Sequence, residues 1–193
     1  MYKRQVLYGT MDADKISRNV AECIYTGIIH DTGVFKYSCT SKKTMEIAGE
    51  MMEKGIDYSD IIDNTFYKKT YVQNQILGRA LLESVLFYDG KCIFTTVTID
   101  EMEFYGVTGR ELGGIVEQLR LTDGVEVAIF LYQTGEEEYK VSLRSKKKID
   151  VAAIATQFGG GGHVRAAGYT AKGSVYQIIN SIGELIEKQY NAM

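Results

Sequence analysis

The sequence predicts an α/β protein in which a mostly helical first part is joined by a linker helix to a mixed α+β domain. Three observations lead to this prediction. The 193 residues are 45% apolar, which is enough to bury a sizeable core. Apolar residues recur at helical spacing through the first half, whereas alternating β-forming residues enter only after about residue 88. We therefore predict residues 1–67 as the helical part, 68–88 as the linker helix and 89–193 as the mixed domain.

The first helix is predicted from apolar residues that recur every four positions, at Ile16, Val20, Ile24 and Ile28. This spacing places the four side chains on one face of a helix, which we expect to be buried. Asp12 precedes the pattern and can accept hydrogen bonds from the first backbone N–H groups of the helix.

Further signals mark the other helices of this part. Ser41 precedes a second helix. The pattern Asp57-x-x-Asp60 resembles a capping box with Asp in place of Glu, and it predicts a short third helix that ends near Tyr67. Residues 70–88 carry apolar side chains at helical spacing and end at an Asp-Gly turn signal, so they predict the linker helix.

The second half mixes strands with helices. β-forming residues predict a strand, then a buried strand with its hairpin partner, and a short strand after a glycine run; amphipathic segments predict three helices. In chain order these elements are strand 91–98, helix 109–121, strand 125–133, strand 139–144, helix 150–158, strand 166–170 and helix 174–190. Asp150 is placed to cap the helix that it begins.

Composition excludes several classes of protein. Basic and acidic residues number 22 and 25, a formal net charge of −3, which excludes a globally basic nucleic-acid coat protein. The three cysteines form no C-x-x-C pair and there are two histidines, which excludes a zinc finger, a disulfide scaffold and an H-E-x-x-H metalloprotease. No apolar run reaches the roughly 18 residues that span a bilayer, so no membrane partner is expected. Unpaired cysteines favour a cytoplasmic location.

The most unusual string in the chain is four consecutive glycines, Gly159 to Gly162, followed by His163. One interpretation is a flexible turn between a helix and a strand. A turn needs only one or two glycines, and each glycine costs roughly 0.5–1 kcal/mol relative to alanine in an ordered element. The excess favours a loop whose bare backbone a ligand approaches closely. The spacing fits neither a Walker A loop nor a dinucleotide-binding fingerprint.

Positive charge is concentrated around this loop. Between residues 140 and 165, six basic side chains are accompanied by one acidic side chain, in a chain whose net charge is −3. For Lys146, Lys147 and Lys148 a solvated turn is the favoured interpretation. Arg144 differs, because it ends a half-buried strand, where a guanidinium can hold a phosphate through two hydrogen bonds. The combination of charge and glycine loop predicts a ligand that carries phosphate.

A carboxylate lies where the first helix ends, since Asp31 precedes a glycine turn at Gly33. An Asp in such a place is usually a turn residue that accepts hydrogen bonds from nearby backbone N–H groups. A metal ligand is the alternative, and this segment by itself does not decide between the two. Asp12 and Asp14 are open to the same alternatives, because acidic residues are favoured at helix starts.

Together, two parts of the chain resemble the DHH phosphoesterase family. The Gly-Ile-Ile-His-Asp-Thr-Gly string over 27–33 is similar to the last metal-binding motif of that family's catalytic domain. The Val-Ser-Leu-Arg-Ser string over 141–145, followed by Phe-Gly-Gly-Gly-Gly-His over 158–163 and Ala-Ala-Gly over 166–168, is similar to the signature of the DHH-associated C-terminal domain. The resemblance covers nearly the whole chain and indicates the branch of bacterial oligoribonucleases that also remove phosphate from pAp (adenosine 3′,5′-bisphosphate).

The resemblance implies a fold, an activity and a set of site residues. The fold is the remnant of a DHH catalytic domain over 1–67, the linker helix, and a mixed-sheet substrate-binding domain from residue 89. The activity is that of a metal-dependent phosphoesterase, a hydrolase of short single-stranded RNA or pAp. Asp31 would be a metal ligand for one of two Mn²⁺ ions in the intact enzyme. The substrate would bind to Arg144, Ser145, Gly160, Gly161, Gly162 and His163.

The family's other aspartate motifs, among them Asp-His-His, have no counterpart in the sequence. The resemblance therefore implies that this chain is the C-terminal part of an enzyme, with an incomplete catalytic set and no activity by itself. Two alternatives stay open, a non-catalytic module that binds a nucleotide or nucleic acid and a cyclic-dinucleotide phosphodiesterase of the same family. A homodimer is also left open.

Overall fold

The computed structural model describes residues 16–192, and the chain divides into two compact units between Lys69 and Thr70. Asp12, the predicted cap, and Asp14 lie outside the described residues. The first unit is helical as far as it is described, and the second combines helices with a sheet, which confirms the predicted α/β fold class. None of the helices within residues 16–192 combines the length and the apolar character that crossing a bilayer requires.

Helices α1 (Arg18–Thr32), α2 (Lys42–Glu53) and α3 (Tyr58–Ile62) form the first unit, and a π-helical turn over Asp63–Tyr67 continues α3. The predicted start of α2 after Ser41 and the predicted cap Asp57 are both confirmed. The Ser41 hydroxyl accepts a hydrogen bond from the N–H of Thr44 at the start of α2. The Asp57 carboxylate accepts one from the N–H of Asp60, at 3.0 Å, at the start of α3. These caps pair N–H groups that have no partner within the helix.

The buried face of α1 differs from the predicted one. Of the predicted residues, Ile16 is buried, but Val20 is 37% exposed and the other two are half-buried. Tyr25 and Ile29 are at most 2% exposed and pack with Met51 of α2 in one core. Both sets recur every four residues, so the helical period cannot choose between two adjacent apolar stripes. Packing against α2 determines which of the two stripes is buried.

The helix predicted over 68–88 is shorter in the structure. Helix α4 spans Tyr71–Leu82, and Val85–Phe87 form strand β1 at one edge of the sheet. The prediction of a helix up to residue 88 is wrong because this short apolar segment fits either period, and pairing in the sheet supplies its backbone hydrogen bonds. Ile76 of α4 is buried in the core of the second unit.

The other strands are β2 (Cys92–Val97), β3 (Val127–Gly135), β4 (Glu138–Ser145), β5 (Gly161–His163) and β6 (Ala166–Lys172). The six strands form one mixed sheet in the order β1-β2-β3-β4-β6-β5. β2 and β3 run parallel, and every other neighbouring pair is antiparallel. The predicted hairpin of β3 and β4 is confirmed. Strand β5, which begins within the glycine run and ends at His163, was not predicted.

The remaining helices are α5 (Ile99–Tyr105), α6 (Ile115–Arg120), α7 (Val151–Gln157) and α8 (Val175–Asn191). α7 begins at the predicted cap Asp150, whose carboxylate accepts two backbone N–H groups. α5 was not predicted. α6 is shorter than the predicted helix 109–121 because Gly114 has a φ of +94°, a left-handed conformation that interrupts a helix.

Free thiols occupy all three cysteine positions, of which Cys23 and Cys39 are exposed and Cys92 is buried. Burial raises the pKa of the Cys92 thiol to about 12. A thiol reacts as its thiolate, so Cys92 is inert at neutral pH and serves the core as a small apolar residue.

Helices cover the two faces of the sheet unequally. α7 and α8 pack on one face, in a core that takes side chains from β2, β3, β4 and β6. α4 and α6 pack on the opposite face, where the buried core, within the described part of the chain, takes strand residues from β2 and β3 only. The part of this second face that β4, β6 and β5 form therefore lies outside the core. The candidate site lies there.

Candidate functional site

Side chains on this part of the sheet form a row across three strands. Arg144 pairs with Ala166, which pairs with His163 on its other side. Arg144 also pairs with Ala128, a member of the core beneath α4 and α6, so the row lies on that face. Directly paired residues share a face, and neighbouring strands lie about 4.8 Å apart. The backbones of Arg144 and His163 are therefore about 10 Å apart, with one methyl group between them.

A second row has almost no side chains, since Ser142 pairs with Gly168 and Gly168 pairs with Gly161. The two rows form a bare floor with polar side chains at its sides. We call this surface the open platform, and it consists of Ser142, Arg144, Gly161, His163, Ala166 and Gly168. Gly161 and His163 are exposed and the others are partly buried. A floor without side chains admits close approach of a ligand to the backbone.

The fold itself requires three of the four glycines in the run. Gly159, which follows the C-cap residue Phe158 of α7, has a φ of +76°. A Cβ at Gly160 would lie 2.3 Å from the carbonyl oxygen of Gly168, and a Cβ at Gly162 would lie 2.4 Å from that of Ala166. Only glycine fits at such distances. Gly161 is different, because no described atom lies within 4 Å of a Cβ placed there. The interpretation that a ligand approaches the glycine run therefore depends on Gly161.

Two hydrogen bonds hold Arg144. Its Nε donates to Oε1 of Glu117 on α6, and its Nη1 donates to the carbonyl oxygen of Leu143 at 3.0 Å. The Arg144 side chain is 27% exposed. These bonds engage two of the five N–H groups of a guanidinium, so further donors are available for a phosphate on the open platform. Arg144 is thus oriented by the protein itself.

The predicted excess of positive charge is partly compensated in the fold. Glu117 pairs with Arg144. The carboxylate of Glu126 accepts hydrogen bonds from the backbone N–H groups of Lys147 and Ile149, at 2.8 and 3.2 Å. Both glutamates lie outside the sequence window in which the charges were counted. A count along the chain therefore overestimates the net charge of this region.

Ser145 lies inside the protein rather than on the open platform. It is 2% exposed, and its Oγ donates to the carbonyl oxygen of Ile149 at 2.6 Å. Neighbouring residues of a strand point to opposite faces, so Ser145 and Arg144 are on different sides of the sheet. The hydrogen bond closes the loop that follows β4. Ser145 is a structural residue in this arrangement, and its predicted substrate contact is not supported.

Ser145→Ala is expected to lower the free energy of unfolding by about 0.5–1.5 kcal/mol, the net contribution of one hydrogen bond. The loss stays in this range because the carbonyl oxygen of Ile149 keeps a second donor, Arg165. Urea unfolding measures the effect, with Ser142→Ala as the control for stability. Nucleotide affinity should not change. Weaker binding by Ser145→Ala at unchanged stability would restore Ser145 as a ligand contact.

Asp31 is exposed in the last turn of α1, just before Gly33, whose φ of +57° ends the helix. Its backbone carbonyl oxygen accepts a hydrogen bond from Sγ of Cys39. Across residues 16–192, no three side chains of His, Cys, Asp or Glu group closely enough to hold a metal ion. The described residues by themselves do not fit a site for two manganese ions. Asp31 as a metal ligand stays a prediction.

Glu117 is the residue of this region that the sequence analysis missed. It lies 27 positions before Arg144, and its ion pair with Arg120 has the spacing of an ordinary pair on a helix surface. Only the packing of α6 against β4 brings its carboxylate to the guanidinium of Arg144. No motif or spacing in the sequence signals that contact.

Comparison with known proteins identifies the family. The DHHA1 domain matches residues 89–189, which contain the whole open platform. The chain therefore belongs to the DHH phosphoesterase family, whose DHH-associated C-terminal domain it carries.

Two curated relatives are bifunctional oligoribonucleases and PAP phosphatases named NrnA. The protein of Thermus thermophilus is 33% identical over 155 residues, which cover 80% of this chain and 45% of the relative. The protein of Bacillus subtilis is 27% identical over 154 residues, which cover 80% of this chain and 48% of the relative. The chain thus spans a little less than half the length of these two relatives.

A solved structure supports the same assignment. The crystal structure of an exopolyphosphatase-related protein from Bacteroides fragilis superposes with a TM-score of 0.84 at 28% sequence identity. The match covers 91% of this chain and 52% of that chain. The shared fold agrees with the fold class predicted from the sequence.

Proposed function

We propose that this chain provides the nucleotide-binding domain of a phosphoesterase that hydrolyses short oligoribonucleotides, pAp or both. The observation that carries the proposal is the open platform, where bare backbone, a guanidinium and an imidazole meet on one face of the sheet. These groups can contact the phosphate, sugar and base of a nucleotide. The two activities in the name of the NrnA relatives support this choice of substrate.

Arg144, His163 and the glycine loop are each given a role by their chemistry. Arg144 binds phosphate oxygens through its guanidinium N–H groups. His163, exposed on the edge strand, makes a hydrogen bond to the sugar or base. Gly161 lets the ligand reach the backbone of β5, while Gly160 and Gly162 hold the loop close to β6.

Hydrolysis is proposed to depend on Mn²⁺, with Asp31 as one of the ligands. A two-metal site needs several ligands around two ions a few ångströms apart. The described residues contain no such group, so the other ligands are expected from outside them. No chemical step is assigned to residues of this chain, whose proposed part is to hold the substrate in position.

Binding of short RNA to the purified chain tests the proposal. Di- to pentanucleotide RNA and pAp are expected to bind, as measured by calorimetry, and to slow amide hydrogen exchange across β5 and β6. With manganese added, the chain alone is expected to release no mononucleotide, because Asp31 is the one ligand proposed from it. Product analysis by chromatography checks this second expectation.

Three outcomes of this test would change the proposal. RNA binding with exchange protection elsewhere would overturn the open platform as the site. Mononucleotide release in proportion to the purified chain would overturn its proposed lack of turnover. Tighter binding of a cyclic dinucleotide than of linear RNA would favour a cyclic-dinucleotide phosphodiesterase of the same family.

A further inference from the structure

Three charged side chains meet at the Arg144 side of the open platform. Arg144 on β4 and Arg120 on α6 both donate through Nε to the carboxylate of Glu117. Arg144 uses Oε1, and Arg120 uses Oε2 at 3.3 Å. Two guanidinium groups share one carboxylate, so this cluster of three side chains carries a single excess positive charge.

The cluster lies in a partly desolvated place. The side chains of Arg144, Arg120 and Glu117 are 27%, 20% and 39% exposed. Charges in such positions are screened less than those on a fully exposed surface. A phosphate held by Arg144 therefore interacts with the carboxylate of Glu117 as well as with the two guanidinium groups.

We propose that Glu117 weakens the preference of the open platform for the higher charge of a terminal phosphate over the single negative charge of a phosphodiester. A phosphodiester carries one negative charge, which the excess positive charge of the cluster balances. A terminal phosphate carries about −1.5 to −2 at pH 7, and its additional charge is repelled by Glu117. The inference rests on the proposed function, because it requires that Arg144 binds the phosphate of a nucleotide.

The effect of Glu117 differs between the two proposed substrates at this site. An internal linkage of an oligoribonucleotide has the charge that the cluster matches, whereas both phosphates of pAp are terminal. Glu117 thus acts as a specificity residue through Arg144. A purely positioning role would affect both kinds of phosphate equally.

Adenosine monophosphate and its methyl ester test the inference, because they differ at the phosphate by one methyl group and the charge that it removes. Calorimetry with the full chain measures the ratio of the two affinities. Glu117→Gln keeps the shape of the side chain and an oxygen that accepts from a guanidinium, but it removes the negative charge. The affinity for the monophosphate relative to the ester should rise about three- to tenfold.

Two further variants complete the test. Arg120→Gln removes a positive charge from the same cluster and should shift the ratio of affinities in the opposite direction, toward the ester. Glu187 lies on α8, which packs on the other face of the sheet. Glu187→Gln makes the same change of charge as Glu117→Gln and should leave the ratio of affinities unchanged. Thermal melting establishes that each variant is folded. If Glu117→Gln does not fold, the shift in the ratio of affinities is measured with Arg120→Gln instead.

An unchanged ratio in both cluster variants would overturn the inference while leaving the proposed function in place. An equal loss for both ligands in Glu117→Gln would also overturn it, because Glu117 would then only position Arg144. If the unsubstituted chain binds neither these ligands nor short RNA, the proposed function fails, and the inference fails with it.

Discussion

Replacing Arg144 with alanine is expected to weaken the binding of short RNA or pAp by about 1.5–3 kcal/mol, the range for hydrogen bonds to charged groups. This corresponds to a loss of roughly ten- to 150-fold in affinity. The loss has two sources. The ligand phosphate loses the guanidinium donors. Of its two partners among the described residues, Glu117 keeps Arg120, so its negative charge acts more strongly against the ligand. Calorimetry with the full chain measures the total.

A matched control and a double variant separate these sources. Lys147→Ala also removes a cation, but an exposed one whose backbone N–H keeps its bond to Glu126, and it should bind normally. Adding Glu117→Gln to Arg144→Ala should recover the part of the loss that the unbalanced carboxylate causes. Unchanged affinity in Arg144→Ala, with an unchanged melting temperature, would contradict the assignment of Arg144 to the phosphate.

Gly161→Val is expected to abolish measurable nucleotide binding with little effect on stability. No described atom lies within 4 Å of a Cβ at Gly161, so the fold tolerates a side chain there. Gly161 is exposed and lies in the edge strand β5, where a β-branched residue is favourable. The isopropyl group would instead fill the bare floor that the ligand needs. Denaturant unfolding and calorimetry measure the two properties on the same sample.

At the neighbouring Gly162, a substitution is expected to affect stability. A Cβ at Gly162 would lie 2.4 Å from the carbonyl oxygen of Ala166, and its φ of +149° is accessible to few residues other than glycine. Gly162→Ala is therefore expected to lose about 1–3 kcal/mol of stability or more from backbone strain.

Normal nucleotide binding by Gly161→Val would refute the close approach of a ligand to this loop.

Local signals made the starts of several helices predictable. Ser41, Asp57 and Asp150 each cap the helix that was predicted to follow. A cap acts within three or four residues, so nothing distant has to be known. The hairpin of β3 and β4 was predictable for the same reason, because its two strands are joined by a short turn.

Elements that depend on a distant partner were predicted less well. The predicted core face of α1 was wrong because Tyr25 and Ile29 are buried by packing with Met51, which lies on another helix. The strand Val85–Phe87 was taken for the end of a helix because its pairing with β2 is not visible in a short apolar segment. In both cases the local pattern allowed two solutions, and tertiary packing selected one of them.

At the site, the residue types and their place around a glycine loop could be read from the sequence. It pointed to Arg144, His163 and the glycine run as candidates, because four glycines and clustered charge are unusual within any short window. The tertiary structure alone decided that Ser145 is buried, that Gly161 is the glycine the fold does not need, and that Glu117 lies against Arg144. The physical reason is that side-chain direction, close backbone approach and ion pairing arise between segments far apart in the chain. Such relations exist only once β4, β5, β6 and α6 are packed together.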